Sequence, residues 1–218
     1  AELAALGRHN IHLQAFWLLS GTDPQNDKNV QAAFDFLERN NVHTQIWYMF
    51  VPPKNFEGLT QAQKLDTAVS AIRYIAQRAS EISCPLGLYN HEGWYGEPEN
   101  ELAIIERLKD PNIGLVYNFN HAQRHTERFA EFFPTILPHL IALNLAGLKK
   151  GDQHIYPIGD GDSEKEMKRI VWKSNFKGPI GIINEDTDPD AEKGLKMNMA
   201  GPKKILSSIG ATEEAATY

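Results

Sequence analysis

Cysteine is almost missing from this chain of 218 residues. The single one, Cys84, excludes an intrachain disulfide and reads, just ahead of an apolar run, as a small buried hydrophobe. One cysteine does not separate cytoplasm from periplasm. No apolar run is long enough to span a bilayer, so a soluble chain with no membrane partner is expected. Positive charge is not in excess: 22 Lys and Arg against 28 Asp and Glu leave a net charge of −6. No basic cluster offers a polyanion a face, and no nucleic-acid partner is expected. The pairs Lys149-Lys150 and Lys203-Lys204 read as solvated surface. No strand is followed by a G-x-G-x-x-G turn, Gly159-Asp160-Gly161 being too short a match, so no nucleotide cofactor is expected. No signal-peptide pattern opens the chain, although Ala1 in place of Met leaves room for one already removed.

What is present is an alternation of apolar runs and helical patterns. Residues 1–9 read as the end of a helix and 11–19 as a strand. A helix is expected over 27–41, a strand over 42–51 stopped by Pro52-Pro53, and a long helix over 60–83. Strands follow at 85–91, 113–120, 140–146 and 179–184. Helices are expected at 99–109, 126–137, 163–174 and 189–208, the last interrupted near Gly201-Pro202. Residues 155–159 read as a connection. Six strands, each followed by a helix, imply a parallel sheet with right-handed crossovers. The length allows one α/β domain, expected over residues 1–210 with a tail at 211–218.

Two closures fit six βα units, an open doubly wound sheet or a (β/α)8 barrel. Polar, chemistry-bearing residues stand at the ends of four successive strands: Tyr89-Asn90-His91, Asn118 to His121, Asn144, and residues 184–186. A barrel gathers strand ends into one ring, whereas an open sheet uses mainly its switch point. The expected class is therefore α/β of the (β/α)8 TIM-barrel type, two strands short.

Gly87-Leu88-Tyr89-Asn90-His91, the run from Gly114 to His121 and Gly178-Pro179-Ile180-Gly181-Ile182 resemble the xylose isomerase-like barrels. That superfamily of sugar-phosphate isomerases and epimerases also holds an apurinic endonuclease branch. The resemblance covers about residues 1–210 and is strongest over 85–186. It implies that the six strands correspond to strands three to eight of the barrel, with the first two upstream of Ala1. It also implies one divalent ion held by Glu, Asp, His and Glu on four strand ends. The matching positions here read Tyr89, Asn118, Asn144 and Ile183, with Glu185 two residues beyond the last. The histidine three residues after the Asp position, a substrate contact in the family, is kept as His121. Amides and a phenol replace poorly the carboxylates that offset dehydration of a hard cation.

The expected chemistry is that of a sugar isomerase or epimerase, or a related keto-sugar lyase, removing a proton next to a carbonyl at the C-terminal mouth of the barrel. The alternative is a carbohydrate-binding barrel that has lost metal-dependent catalysis. His91 and His121 are candidate bases, since imidazole moves protons near neutral pH, and Glu185 is the candidate carboxylate. The same three residues are candidate ligands for one divalent ion, Mn, Zn or Mg; hydrogen-bonded pocket lining without a metal is the other reading. Tyr89, Asn90, Asn118, Asn144 and His125 are candidate substrate contacts, carboxamides offering both donors and acceptors to hydroxyls. Trp94 is a candidate stacking face for a sugar ring, and Lys149 for an enolate or phosphate charge. Trp17 and Trp47 read as core or barrel lining, and Asp162 and Ser163 as caps of the following helix. The expected partner is a small sugar or sugar derivative, and a homo-oligomer is left open.

Overall fold

A computed structural model describes residues 2–183 and 190–216, Gln153 by its main chain only. The chain divides into two compact units, one of residues 1–89 with 99–114 and one of residues 90–98 with 115–218.

In the first unit, short polar signals start and stop the helices. Helix α1 (Glu2–Arg8) ends at Asn10, whose φ of 52° turns the chain left-handed, and Ile11 N–H closes the end on Leu6 O at 2.9 Å. Residues 11–14 are consequently a connection, and β1 (Ala15–Ser20) starts later than the apolar pattern implies. Asp27 caps α2 (Lys28–Arg39) by accepting from Asn29 N–H and Val30 N–H. The buried face of α2 is Val30, Ala33, Phe34 and Leu37, the spacing of one helical stripe. β2 (Gln45–Phe50) follows, then α3 (Gln61–Glu81), opened by a reciprocal capping box between Thr60 and Gln63. β3 (Leu86–Tyr89) and α4 (Pro98–Leu108) complete the unit.

β1, β2 and β3 are parallel, with Ala15 opposite Gln45 and Ile46 opposite Leu86. Ser20 Oγ and Tyr48 Oη, 2.8 Å apart, join the ends of β1 and β2, and burial pushes the Tyr48 phenol above its ordinary pKa. Tyr89 lies against Trp47, with ring centroids 5.9 Å apart, and meets Trp17 edge-on at 6.4 Å. Trp17, expected as core or lining, is 50% exposed, because β1 pairs only with β2 among the described residues.

The second unit holds most of β4 (Ile113–Asn118), then α5 (Phe129–Ile136), β5 (Leu140–Leu145), β6 (Gly147–Lys149), β7 (Asp152–Tyr156), α6 (Glu164–Lys173), β8 (Ile180–Ile182), α7 (Ala191–Ser208) and α8 (Thr212–Ala215). β4 is buried along its whole length, as expected of a parallel strand covered on both faces. β5 pairs in parallel with β4 and β8, placing Asn118 opposite Asn144 and Asn144 opposite Gly181. The order β1-β2-β3 in the first unit and β4-β5-β8 in the second accounts for the six expected strands.

Three details differ from the sequence pattern. The connection expected at 155–159 begins inside an antiparallel hairpin, β6 with β7, so β5 is not followed directly by a helix. Helix α7 runs unbroken through Pro202. Gly201 is there for close approach instead of a break: a Cβ on it would lie 1.7 Å from Ile158 O. The residues after 210 include α8, whose Ala215 packs with Ala211, Leu206 and Ile209.

Candidate functional site

Asn90 follows the last residue of β3, is fully buried, and uses its side-chain amide on main chain. Its Nδ2 donates to Asn118 O at 3.1 Å and its Oδ1 accepts from Asn118 N–H at 2.5 Å. The Asn90 N–H itself donates to Val116 O at 3.4 Å. Asn118, at the end of β4, is buried in turn, and its Oδ1 accepts from Asn120 N–H at 3.0 Å, opening a 3₁₀ turn over Phe119–His121. Both amides therefore shape backbone, a reason for Asn in apolar strands that sugar binding does not require.

This junction brings two sequence-distant histidines together. The rings of His91 and His121 lie 4.3 Å apart, centroid to centroid. The loop after His91 turns tightly enough that a Cβ on Gly96 would stand 1.8 Å from His91 O. His121 opens onto a cavity of 510 Å³ lined by Glu92, Gly93, Asn120, His121, Gln123, Arg124, Lys150 and Gly151. Burial, then the neighbouring His91 and Arg124, hold the His121 imidazole down at about 4, so it is neutral near pH 7. Asn120 contributes a buried Oδ1 that no group among the described residues satisfies.

His125 is placed differently from the other two histidines. It is buried, its Nδ1 sits 3.0 Å from Tyr117 Oη, and it is not part of the cavity wall. Its Nε2 is 3.3 Å from Glu97 Oε2, an ion-pair distance whose angle does not make a well-aligned hydrogen bond. Glu97 also meets Arg128 at 2.5 Å and Arg124 at 3.9 Å. The contact with His125 first, and the two arginines next, hold its carboxyl below the ordinary range. Glu97 is thus the hub of this charge cluster.

Asn144 is buried, its Oδ1 lying where a Cβ on Gly181 would be only 2.6 Å away, so the missing side chain of Gly181 makes the room. Lys149 Nζ stands over the Tyr156 ring, 4.1 Å from its centroid, while Lys150 at the hairpin tip pairs with Glu127 and lines the cavity. The base of that hairpin is fixed from α6. Buried Lys168 donates to Ala146 O at 3.2 Å and pairs with buried Glu164. Glu164 Oε1 accepts from Gly159 N–H at 2.9 Å and Gly161 N–H at 2.7 Å. That carboxylate, and not Ser163, which makes no side-chain cap, ties the loop ahead of α6; Asp162 accepts from Ser163 Oγ.

Trp94 is half-buried in the loop after His91. Tyr89 belongs to the aromatic group of the first unit. Glu185 lies outside the described residues. Among the described residues no three His, Cys, Asp or Glu side chains converge on one point, so the described donors do not fit a divalent ion. Gln123, Arg124 and Glu92 were not anticipated from sequence: no periodicity marks them, and only their closeness to the two histidine positions could have drawn attention.

The sequence matches a family profile described as xylose isomerase-like TIM barrel over residues 3–200. No curated protein matches by sequence. Among solved structures, the IOLI protein with a bound zinc atom superposes with a TM-score of 0.72 at 13% identity, covering 96% of this chain and 83% of that one. A D-tagatose 3-epimerase-like protein gives 0.70 at 16% identity, with 96% and 82% covered. D-allulose 3-epimerase from Methylomonas sp., in complex with D-allulose, gives 0.65 at 15% identity, with 89% and 72% covered. At such identities the likeness is one of fold.

Proposed function

The chain belongs to the xylose isomerase-like TIM barrel family, and from that premise we propose that it acts on a keto-sugar or close derivative by moving a proton next to the carbonyl. The observation that carries this reading is the pair His91 and His121, 4.3 Å apart, with His121 facing a polar cavity. In this reading His91 takes the proton from carbon. The neutral His121 donates its N–H to the carbonyl oxygen, where charge develops as the enediolate forms. In an isomerisation His91 returns the proton to the neighbouring carbon, and His121 carries the hydroxyl proton of that carbon to the former carbonyl oxygen. In an epimerisation a water on the opposite face supplies the new C–H proton, and His91 gives its own to solvent. Asn144, Trp94 and Lys149 are the proposed further sugar contacts. Asn90 and Asn118 hold the two histidines in register, and Tyr89 precedes that junction.

The test is wash-in of deuterium from D2O at the carbon next to the carbonyl, followed by NMR over a set of ketopentoses and ketohexoses. His91→Gln and His121→Gln should each slow exchange by about 10²- to 10⁴-fold. Exchange that persists in both variants removes the histidines from the reaction, and exchange with no keto-sugar removes the reading.

Two observations favour a second reading, a barrel that binds carbohydrate without turning it over. A phenol, Tyr89, and an amide, Asn118, stand at strand-end positions where the resemblance implies carboxylates, and the described residues offer no three-ligand metal group. Sugar binding without deuterium wash-in would select it. A divalent ion, of Zn, Mn or Mg, is proposed on His91, His121 and Glu185 together, and no chemical step is derived through it. Metal analysis after dialysis against each ion tests that set: one ion per chain, lost in His91→Gln, is the expected result.

A further inference from the structure

We infer that this cavity selects a hydroxylated substrate bearing an anionic group, carboxylate or phosphate, held by Arg124 and Lys150. The inference rests on the proposed reading of the cavity as the substrate site. The chain as a whole carries a charge of −6, yet among the described residues the cavity wall holds two cations, Arg124 and Lys150, against one acid, Glu92. A cleft whose wall is net positive within a chain of net negative charge raises the local concentration of anionic ligands.

Neither cation is firmly engaged. Arg124 makes no hydrogen bond among the described residues, and its one ion pair, to Glu97, is 3.9 Å long. Glu97 is already closer to Arg128, at 2.5 Å, and to His125, at 3.3 Å, so it has little need of a third partner. Most of the guanidinium's five N–H groups are accordingly unused, and their planar fork matches a carboxylate or phosphate. Lys150 does have a partner in Glu127, but both side chains are well exposed, and such pairs contribute little to stability, so exchange for a ligand anion is easy.

On the same wall as these cations, Asn120 has a buried Oδ1 without a partner among the described residues, and Gln123 lines the wall too. A hydroxyl from the ligand would satisfy the first, since a buried acceptor left alone carries a desolvation cost. Hydroxyl recognition at Asn120 and anion recognition at Arg124 and Lys150 thus occur in one cavity. A neutral sugar answers only the first.

The test is isothermal titration of the full chain, with and without Mn²⁺, against three sets of ligands. These are neutral ketohexoses, their 6-phosphates, and keto-acids such as 5-keto-D-gluconate. The expected result is a phosphate or keto-acid bound at least about tenfold more tightly than any neutral sugar, about 1.4 kcal/mol. Which anionic set wins identifies phosphate or carboxylate as the source. Arg124→Gln and Lys150→Gln should each shrink that gap, and Arg124→Lys should restore part of it, with circular dichroism confirming that all variants are folded. Neutral sugars binding as tightly as the anionic ones, or a gap unmoved in both Gln variants, overturns the inference and leaves the proton-transfer reading standing. Binding of no ligand in any set overturns both.

Discussion

Replacing Lys168 by Met strips a buried carboxylate of its counter-charge. The side chains of Lys168 and Glu164 are 7% and 2% exposed, one turn apart on α6, so water does not take the place of the lost ammonium. Burial pushes the Lys168 ammonium down to about 7, while contact with the Glu164 carboxylate favours its charged form. Breaking such a pair from one side costs about 3–5 kcal/mol. Glu164 keeps two main-chain donors, Gly159 N–H and Gly161 N–H, which places Lys168→Met near the lower end, about 3 kcal/mol. For a chain of this size that is a fall in Tm of roughly 6–12 °C. Adding Glu164→Gln removes the stranded charge but keeps an Oε1 to accept from both glycines. The double variant should therefore recover about 2 kcal/mol relative to Lys168→Met alone. Urea unfolding of all four members of the cycle, followed by far-ultraviolet circular dichroism, measures this. A loss below about 1 kcal/mol in Lys168→Met, or a double variant less stable than that single one, would refute the argument that the pair is a desolvated ion pair.

Acid should destabilise the fold through His121. Its pKa is about 4 when folded against 6.5 in the free side chain, so between those values the unfolded chain binds the extra proton and stability falls as pH drops. The full difference amounts to about 3 kcal/mol, which partial exposure reduces to about 1–2 kcal/mol. His121→Gln should flatten that limb of the stability profile, and a His121 resonance titrating near 6.5 by NMR would contradict it. Gly201→Ala should lose about 3 kcal/mol or more despite the better helix propensity of Ala, because the new Cβ would meet Ile158 O at 1.7 Å. Gly7→Ala in α1, with nothing within 4 Å of the added Cβ, is the matched control and should be neutral or stabilising by thermal melting.

The buried strands were legible because burial on both faces leaves nearly unbroken apolar runs, as in β3 and β4. The hairpin β6 with β7 was not, since its tip Lys149-Lys150-Gly151-Asp152 is polar and β6 is three residues long. Helix α7 hid its continuity because a Gly-Pro pair is local evidence for a break, while the contact that requires Gly201 comes from Ile158, far off in sequence. The pairing of His91 with His121 followed from reading successive strand ends as neighbours. The placing of His125 did not: alternation along β4 puts Tyr117 on the face opposite Asn118, and His125 goes with Tyr117. Arg124, which stands beside the site, sits in a polar stretch where no period distinguishes it from solvated surface.

The amide of Asn90 behaves as a spare peptide group. It offers Asn118 a carbonyl and an N–H, as the next residue of β3 would have done, while the true main chain is released into the loop that starts at His91. The chain in effect forks at this position, one branch a side chain that stays in the sheet and one a backbone that leaves it. Only Asn has both the reach and the two complementary atoms: Asp lacks the donor, Gln is one methylene too long, and Ser has a single arm. The spacing of the two imidazoles is therefore inherited from a graft of side chain onto sheet. A chemist wishing to move them apart by a fraction of an ångström would do so at residue 90, without touching either ring.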